Sequence, residues 1–459
     1  MNGVVGLFIE FAVANCGCGG PVCVGGGGAG TRTACNPPRE TQPTTHNVQS
    51  ALVIHGIELC FGKAVHFDLA TTSKTLRCRG CLHCVRERSD EYPCERVRTH
   101  QGWYNGSSIC PDLDQPFFDV RVEDKQLKQE LSEIAKADFI AFDERFFDLI
   151  GPRPKLESMF NLSRDESLKE APVYIPSSNS LFISDIGARK QMRIDLTEKE
   201  PTFEYIELKP PLATINGAAY SEKDGLIYVT VHTSDGVDGG IYSIDPDTLE
   251  RKVVLNNFLG HRFNSPNDLV IAENGLFFTD PPYAQIMGNG SAAQLRPNVY
   301  FFDPSSHVLR PVEEDLQLPN GIALSPDGKT LYIADSGALC QPIGKPTVSS
   351  KHRSIYAYDL VNGLATNRRL VYIADFWVPD GIKVSESGNL YAAAGIFVDI
   401  ISPDGVLLGK IQTAGLMQNL IFAGPELNEL WLVGIGGVYR TRISDQGIPF
   451  SKKTQFFIQ

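Results

Sequence analysis

LPNGIALSPDGKTLYIADS, residues 318–336, reads as one hairpin with a polar residue at its head. An amide, Asn320, leads an apolar run, Pro326-Asp327-Gly328 marks a tight turn, and a second β-rich run starts at Leu331. The same unit recurs along the C-terminal two thirds of the chain. Its clearest strand starts are LFISDI at Leu181, LIYVTV at Leu226, LFFTDP at Leu276, LYIADS at Leu331, LYAAAG at Leu390 and LWLVGI at Leu430. Most are followed by a further strand with its own turn, as in IYSIDPDT, VYFFDPSS, IYAYDLVNG and VDIISPDG. The starts lie 40 to 59 residues apart. A repeat of that length with several strands per unit predicts a propeller, and six units predict six blades.

Counting back nine to eleven residues from each start finds Glu170, Asn216, Asn267, Asn320, Asp380 and Asn419. Equivalent positions on successive blades face one central channel, so six oxygen-bearing side chains are expected to converge. Carboxylates and amides without His or Cys form the ligand set of a hard cation such as calcium, whereas zinc favours imidazole or thiolate. Taken singly, Asn216-Gly217, Asn320-Gly321 and Asp380-Gly381 also fit turns, where Asn, Asp and Gly tolerate positive φ. EAPVY at Glu170 carries no turn signature.

The segments EAPVYIPSSNSLFISDI, RFNSPNDLV, LFFTDPPY, LPNGIALSPDGKTLYIADS and VPDGIKVSESGNLY resemble the gluconolactonase/senescence-marker-protein/luciferin-regenerating-enzyme family, in its lactonohydrolase branch. The resemblance spans residues 137–445. It implies a six-bladed propeller with one catalytic divalent cation, calcium first, with zinc, magnesium or manganese as alternatives. Residue by residue it implies Glu170, Asn267, Asn320 and Asp380 as metal ligands, with Asp380 also the general base, and a lactone or related ester as substrate. Asn216, His232, Asp280, Tyr283 and Asn419 are the candidate substrate-side contacts. Where some members carry a substrate-binding Arg, this chain has Ser265, and Arg262 lies three residues earlier. The alternatives are phosphotriester hydrolysis at the same site, or a propeller that binds calcium or partners without catalysis.

Other chemistries find less support. A net charge of -12 opposes a nucleic-acid footprint. No apolar run reaches the ~20 residues of a spanning helix. No G-x-S-x-G elbow or P-loop occurs. Ten of eleven cysteines fall between Cys16 and Cys110, so the repeat region needs no disulfide framework. Cys78, Cys81, Cys84 and Cys94 match no zinc-finger spacing well.

Residues 1–120 are therefore expected to be a Cys/Gly-rich extension, largely disordered. Residues 121–164 form a helix and lead-in, and residues 165–459 the all-β propeller. Leu127, Leu131, Ile134 and Ala135 predict a short amphipathic helix over 124–136. Residues 137–150 read as a strand that helps to close the last blade. The N-terminus lacks a basic n-region, which argues against a signal peptide and for a cytoplasmic protein.

Overall fold

A computed structural model describes residues 116–119, 125–160, 167–234, 236–286, 292–339, 351–361 and 363–450. The cysteine cluster at Cys78–Cys94 and the rest of the extension lie outside them. The described residues are mostly strand, arranged as four four-stranded sheets, one seven-stranded sheet and a two-stranded ribbon at 257–262.

The four-stranded sheets cover 169–206, 215–255, 269–313 and 319–373, each an antiparallel meander in sequence order. Turn chemistry explains the regularity. Asp245 accepts the N–H groups of Asp247 and Thr248 (both 2.9 Å), and Asp303 those of Ser305 and Ser306, so Asp side chains close the outer hairpins. The first strands of the sheets lie side by side. Lys169–Ile175 neighbours Ile215–Ser221, and the succession runs on through Leu269–Ala272, Pro319–Leu324 and Ile382–Val384 to Leu407–Ala423, which returns to Lys169–Ile175. Apolar clusters fill the spaces between adjacent sheets, for example Tyr228 and Ile241 against Phe263, Leu269, Phe278 and Tyr300.

The seven-stranded sheet corrects two expectations. LYAAAG and VDII are not separate strands but one, Leu390–Ile401, with a register shift between Gly395 and Phe397. Residues 137–150 do not form one strand against the last hairpin. Phe139–Ala141 pairs with the first half of Leu407–Ala423, Phe139 opposite Ile411, and Arg145–Ile150 is helical. The strand that extends the last hairpin is instead Leu156–Met159, antiparallel to Gly437–Arg442. Two successive sheet portions thus take their outermost strand from the N-terminal lead-in. This accounts for the shortest interval between strand starts, Leu390 to Leu430: that unit lacks an outer strand of its own. The helix Lys125–Ile134 forms where the sequence places it and buries Leu131 and Ile134 against Phe376 and Phe397.

Because an open sheet edge exposes unpaired N–H and C=O groups, deleting residues 125–159 should destabilise both portions. Thermal unfolding followed by circular dichroism should show a midpoint lower by more than about 10 °C, as loss of several kcal/mol implies. An unchanged midpoint would show these strands to be dispensable.

Candidate active site

The first strand of most sheets is irregular where it carries its candidate residue. Register shifts fall between Glu170 and Val173, Ile215 and Gly217, Pro319 and Ile322, and Met417 and Asn419. A bulge bends a strand and re-aims the side chain beside it. At Glu170 the bulge is completed by Ala171 in the left-handed region, φ 54°, a conformation costing a non-glycine residue about 1–2 kcal/mol.

The turn reading of the Asn-Gly and Asp-Gly pairs does not hold. Asn216-Gly217 and Asn320-Gly321 lie within strands, and Gly217, Gly321 and Gly381 all avoid positive φ. These positions are glycine because the next first strand comes too close for a side chain. A Cβ on Gly217 would lie 2.6 Å from the Asn267 carbonyl oxygen and from Asp268 Cα. One on Gly321 would strike the Asp380 carbonyl oxygen, and one on Gly381 the Asn419 carboxamide. Hydroxyl groups tie the same neighbours together. Thr230 Oγ1 donates to Asn267 O (2.5 Å), Thr279 Oγ1 to Asn320 O (2.8 Å) and Ser336 Oγ to Pro379 O (2.7 Å). Each bond runs from one sheet to the backbone at or beside the next candidate residue.

Glu170, Asn216, Asn267, Asn320 and Asn419 are buried, and Asp380 is partly buried beside them. Glu170 Oε2 accepts from Asn419 Nδ2 (3.1 Å) and from its neighbour's amide, Ala171 N (3.3 Å). Asn419 Oδ1 accepts from Leu420 N (2.9 Å) and Lys383 Nζ (3.3 Å), so Asn419 orients Glu170. Asn320 Nδ2 donates to Tyr283 Oη (3.0 Å) and Ser336 Oγ (3.1 Å), which leaves Oδ1 as its acceptor face. Burial, then the charges of Asp380 and Asp268, holds the Glu170 carboxyl well above the usual range. Burial pushes Asp380 up to about 7, opposed by Asn320 and reinforced by Asp268. Glu170, Asp380 and Asp268 therefore sense one another's charge in a dry setting.

The remaining expected residues differ in kind. Asp280 sits at a strand end where its oxygens accept Ser265 N (2.7 Å) and Asn264 N (3.0 Å). Asp335 does the same for Leu318 N and Gln317 N one sheet later, so in these two sheets the carboxylate anchors the loop leading into the first strand. Ser265, where an arginine was looked for, is buried; its Oγ accepts Ala284 N (2.8 Å) and donates to Asn264 O (2.6 Å). Those bonds hold the short helix Tyr283–Ile286 that carries Tyr283 to Asn320. Arg262 is exposed on the ribbon. His232 follows the strand Leu226–Val231; its Nε2 is buried without a hydrogen-bond partner, and burial lowers it to about 4, so the ring is neutral. Among the described residues no three His, Cys, Asp or Glu side chains form a metal cluster; the candidate set pairs two acids with amides.

Sequence reading missed Asp268 and Lys383. Asp268 follows Asn267 directly in SPND, and Lys383 lies three residues after Asp380 in VPDGIK, where it passes for a surface lysine. Its ammonium group instead lies 3.7 Å from Asp268 Oδ2.

Gly321→Ala should therefore cost about 1–3 kcal/mol in chemical unfolding, the usual penalty for overpacking. Gly321 has no left-handed backbone to account for a loss, so a Gly321→Ala variant as stable as wild type would refute the close-approach account.

Comparisons with known proteins place the chain in a family. The SMP-30/gluconolactonase/LRE-like region model matches residues 168–435. The lactonohydrolase oryL of Aspergillus oryzae is 34% identical over 333 residues, covering 68% of this chain and 76% of that protein. The gluconolactonase of Zymomonas mobilis is 30% identical over 286 residues, covering 56% and 75%. Among solved structures, the Xanthomonas campestris gluconolactonase XC5397 superposes with TM-score 0.56 at 24% identity, covering 66% of this chain and 93% of that one. A luciferin-regenerating enzyme does so with TM-score 0.51 at 18% identity, covering 66% and 100%. With its meander sheets, its neighbouring first strands and this match over most of the described residues, the chain belongs to the SMP-30/gluconolactonase/LRE-like family.

Proposed function

We propose that this chain hydrolyses a lactone at a divalent-cation site built from Glu170, Asn267, Asn320 and Asp380, with Asp380 as general base. The observation that carries the reading is the pair of carboxylates, Glu170 buried and Asp380 partly so, both raised by desolvation and by nearby negative charge, in a family whose relatives include lactonohydrolases. The cycle of first strands fits six blades, two of them joined by the long strand Leu407–Ala423.

The residues suit a hard cation. Their donors are oxygen alone, and buried carboxylates that oppose each other's ionisation are relieved by a positive charge between them. Calcium is the first candidate, with magnesium, manganese and zinc the alternatives to test. When bound, such an ion polarises a carbonyl and eases ionisation of water. The chain's own groups do the rest. Asp380 takes a proton from the attacking water while the water oxygen bonds to the lactone carbonyl carbon. The ring C–O bond then breaks, the ring oxygen leaves as an alcohol with that proton, and a hydroxy acid results. Asn419 holds Glu170, and Tyr283 with Ser336 holds Asn320, so the acceptor oxygens stay directed without reorganisation. His232 is the candidate contact for a substrate hydroxyl, its neutral Nε2 lacking a partner among the described residues.

Asp380→Asn should lower kcat by about 10²–10⁴-fold, the range for loss of a general base, on a panel of aldonolactones and aliphatic lactones. The role is refuted if the variant binds calcium calorimetrically and still turns over at the wild-type rate.

Stability should also depend on pH in a definite direction. Asp380 rises from its ordinary 3.8 to about 7 in the fold, and Glu170 rises likewise. Between those values the folded protein holds a proton that the unfolded chain has released, so these groups lower stability as pH climbs from about 4 to 7. Calcium added to chelator-treated protein should therefore raise the melting temperature more at pH 8 than at pH 5. Asp380→Asn should shrink that gain. Equal shifts at both pH values would contradict the assignment.

A further inference from the structure

Lys383 is mostly buried beside the candidate residues rather than on the surface. Its side chain is 18% exposed, with Nζ 3.3 Å from Asn419 Oδ1 and 3.7 Å from Asp268 Oδ2. Its stem borders an apolar cavity of about 140 Å³ whose walls include Ala218, Leu269, Ile322 and Ile421. Asp268 is more deeply buried. Its Oδ1 accepts Leu269 N (2.8 Å), the Ile322 amide also favours its charged form, and Oδ2 faces the lysine. A carboxylate in such surroundings stays charged only beside a counter-charge.

The charges can be counted. Glu170, Asp268 and Asp380 contribute three negative charges, each acting on at least one of the others. Among the described residues, Lys383 is the cation that acts on this group: directly on Asp268, and on Glu170 by way of the Asn419 carboxamide, whose Oδ1 accepts from Lys383 and whose Nδ2 donates to Glu170. The sum is minus two. We propose that Lys383 and Asp268 are paired positioning residues that set the charge of the site to minus two, matching it to one divalent cation and holding its affinity below that of an uncompensated tricarboxylate. The proposal rests on the cation-site reading above and assigns roles to two residues outside the ligand set.

Charge compensation makes a distinctive prediction about paired variants. The full chain, stripped with chelator, is titrated calorimetrically with calcium chloride and with terbium chloride at alkaline pH, where the carboxylates are ionised. Lys383→Met should bind calcium roughly tenfold tighter, the order expected for removing one nearby positive charge at an intermediate dielectric, and terbium should gain more than calcium. Lys383→Gln, which keeps a donor near Asn419 without the charge, should behave the same way and covers the case in which the methionine variant fails to fold. Asp268→Asn should weaken calcium binding by about the same factor. The double variant Asp268→Asn/Lys383→Gln, again at minus two, should return close to the wild-type constant. A merely structural role would make the two losses add. Folded Lys383→Gln binding calcium no tighter than wild type, or a double variant weaker than either single one, overturns the proposal. Failure of the wild-type chain to bind any divalent cation would instead defeat the cation-site reading itself.

Discussion

Mutual repulsion among Glu170, Asp268 and Asp380, confined where water is scarce, is the constraint around which the molecule is organised. Each carboxyl is displaced upward first by burial, and negative neighbours add to the displacement of Glu170 and Asp380. Such an arrangement is unfavourable to folding and persists only if the surrounding framework is rigid enough to impose it. The hydrogen bonds from Asn419, Leu269 and Asn320, and the ammonium group of Lys383, offset part of the cost. What they leave unbalanced is net negative charge at the candidate site.

The rigidity comes from contacts between first strands. Gly217, Gly321 and Gly381 let each backbone press against its successor, and Thr230, Thr279 and Ser336 bond across the same seams. Glu170, Asn216, Asn320 and Asn419 stand at bulges, so they are aimed by the irregularity of the strand, while Asn267 and Asp380 lie just ahead of their strands. Asp280 and Asp335 belong to this framework, anchoring the loops that deliver Asn267 and Asn320.

Much of this was legible in one dimension. Hairpin units beginning with Leu, and an acid or amide in step with each, were enough to single out Glu170, Asn216, Asn267, Asn320, Asp380 and Asn419 as equivalent positions, because a repeating unit places equivalent residues in equivalent surroundings. The outer strands of the last two sheet portions were not legible. Phe139–Ala141 and Leu156–Met159 are short, and their partners lie more than 250 residues away, so no local pattern announces them. Lys383 was equally hidden, since a lysine between two apolar residues in a strand reads as solvent-facing.

The sequence by itself determined the repeat, the β-meander character of each unit and the chemistry of the ligand candidates, since periodicity, turn residues and side-chain type are local properties. Only the tertiary structure decided that the Asn-Gly and Asp-Gly pairs are close-approach points rather than turns, that Asn419 serves Glu170, and that Asp268 and Lys383 join the same charge group. Those outcomes depend on distances between residues tens to hundreds of positions apart, and electrostatic energy in a buried site depends on those distances.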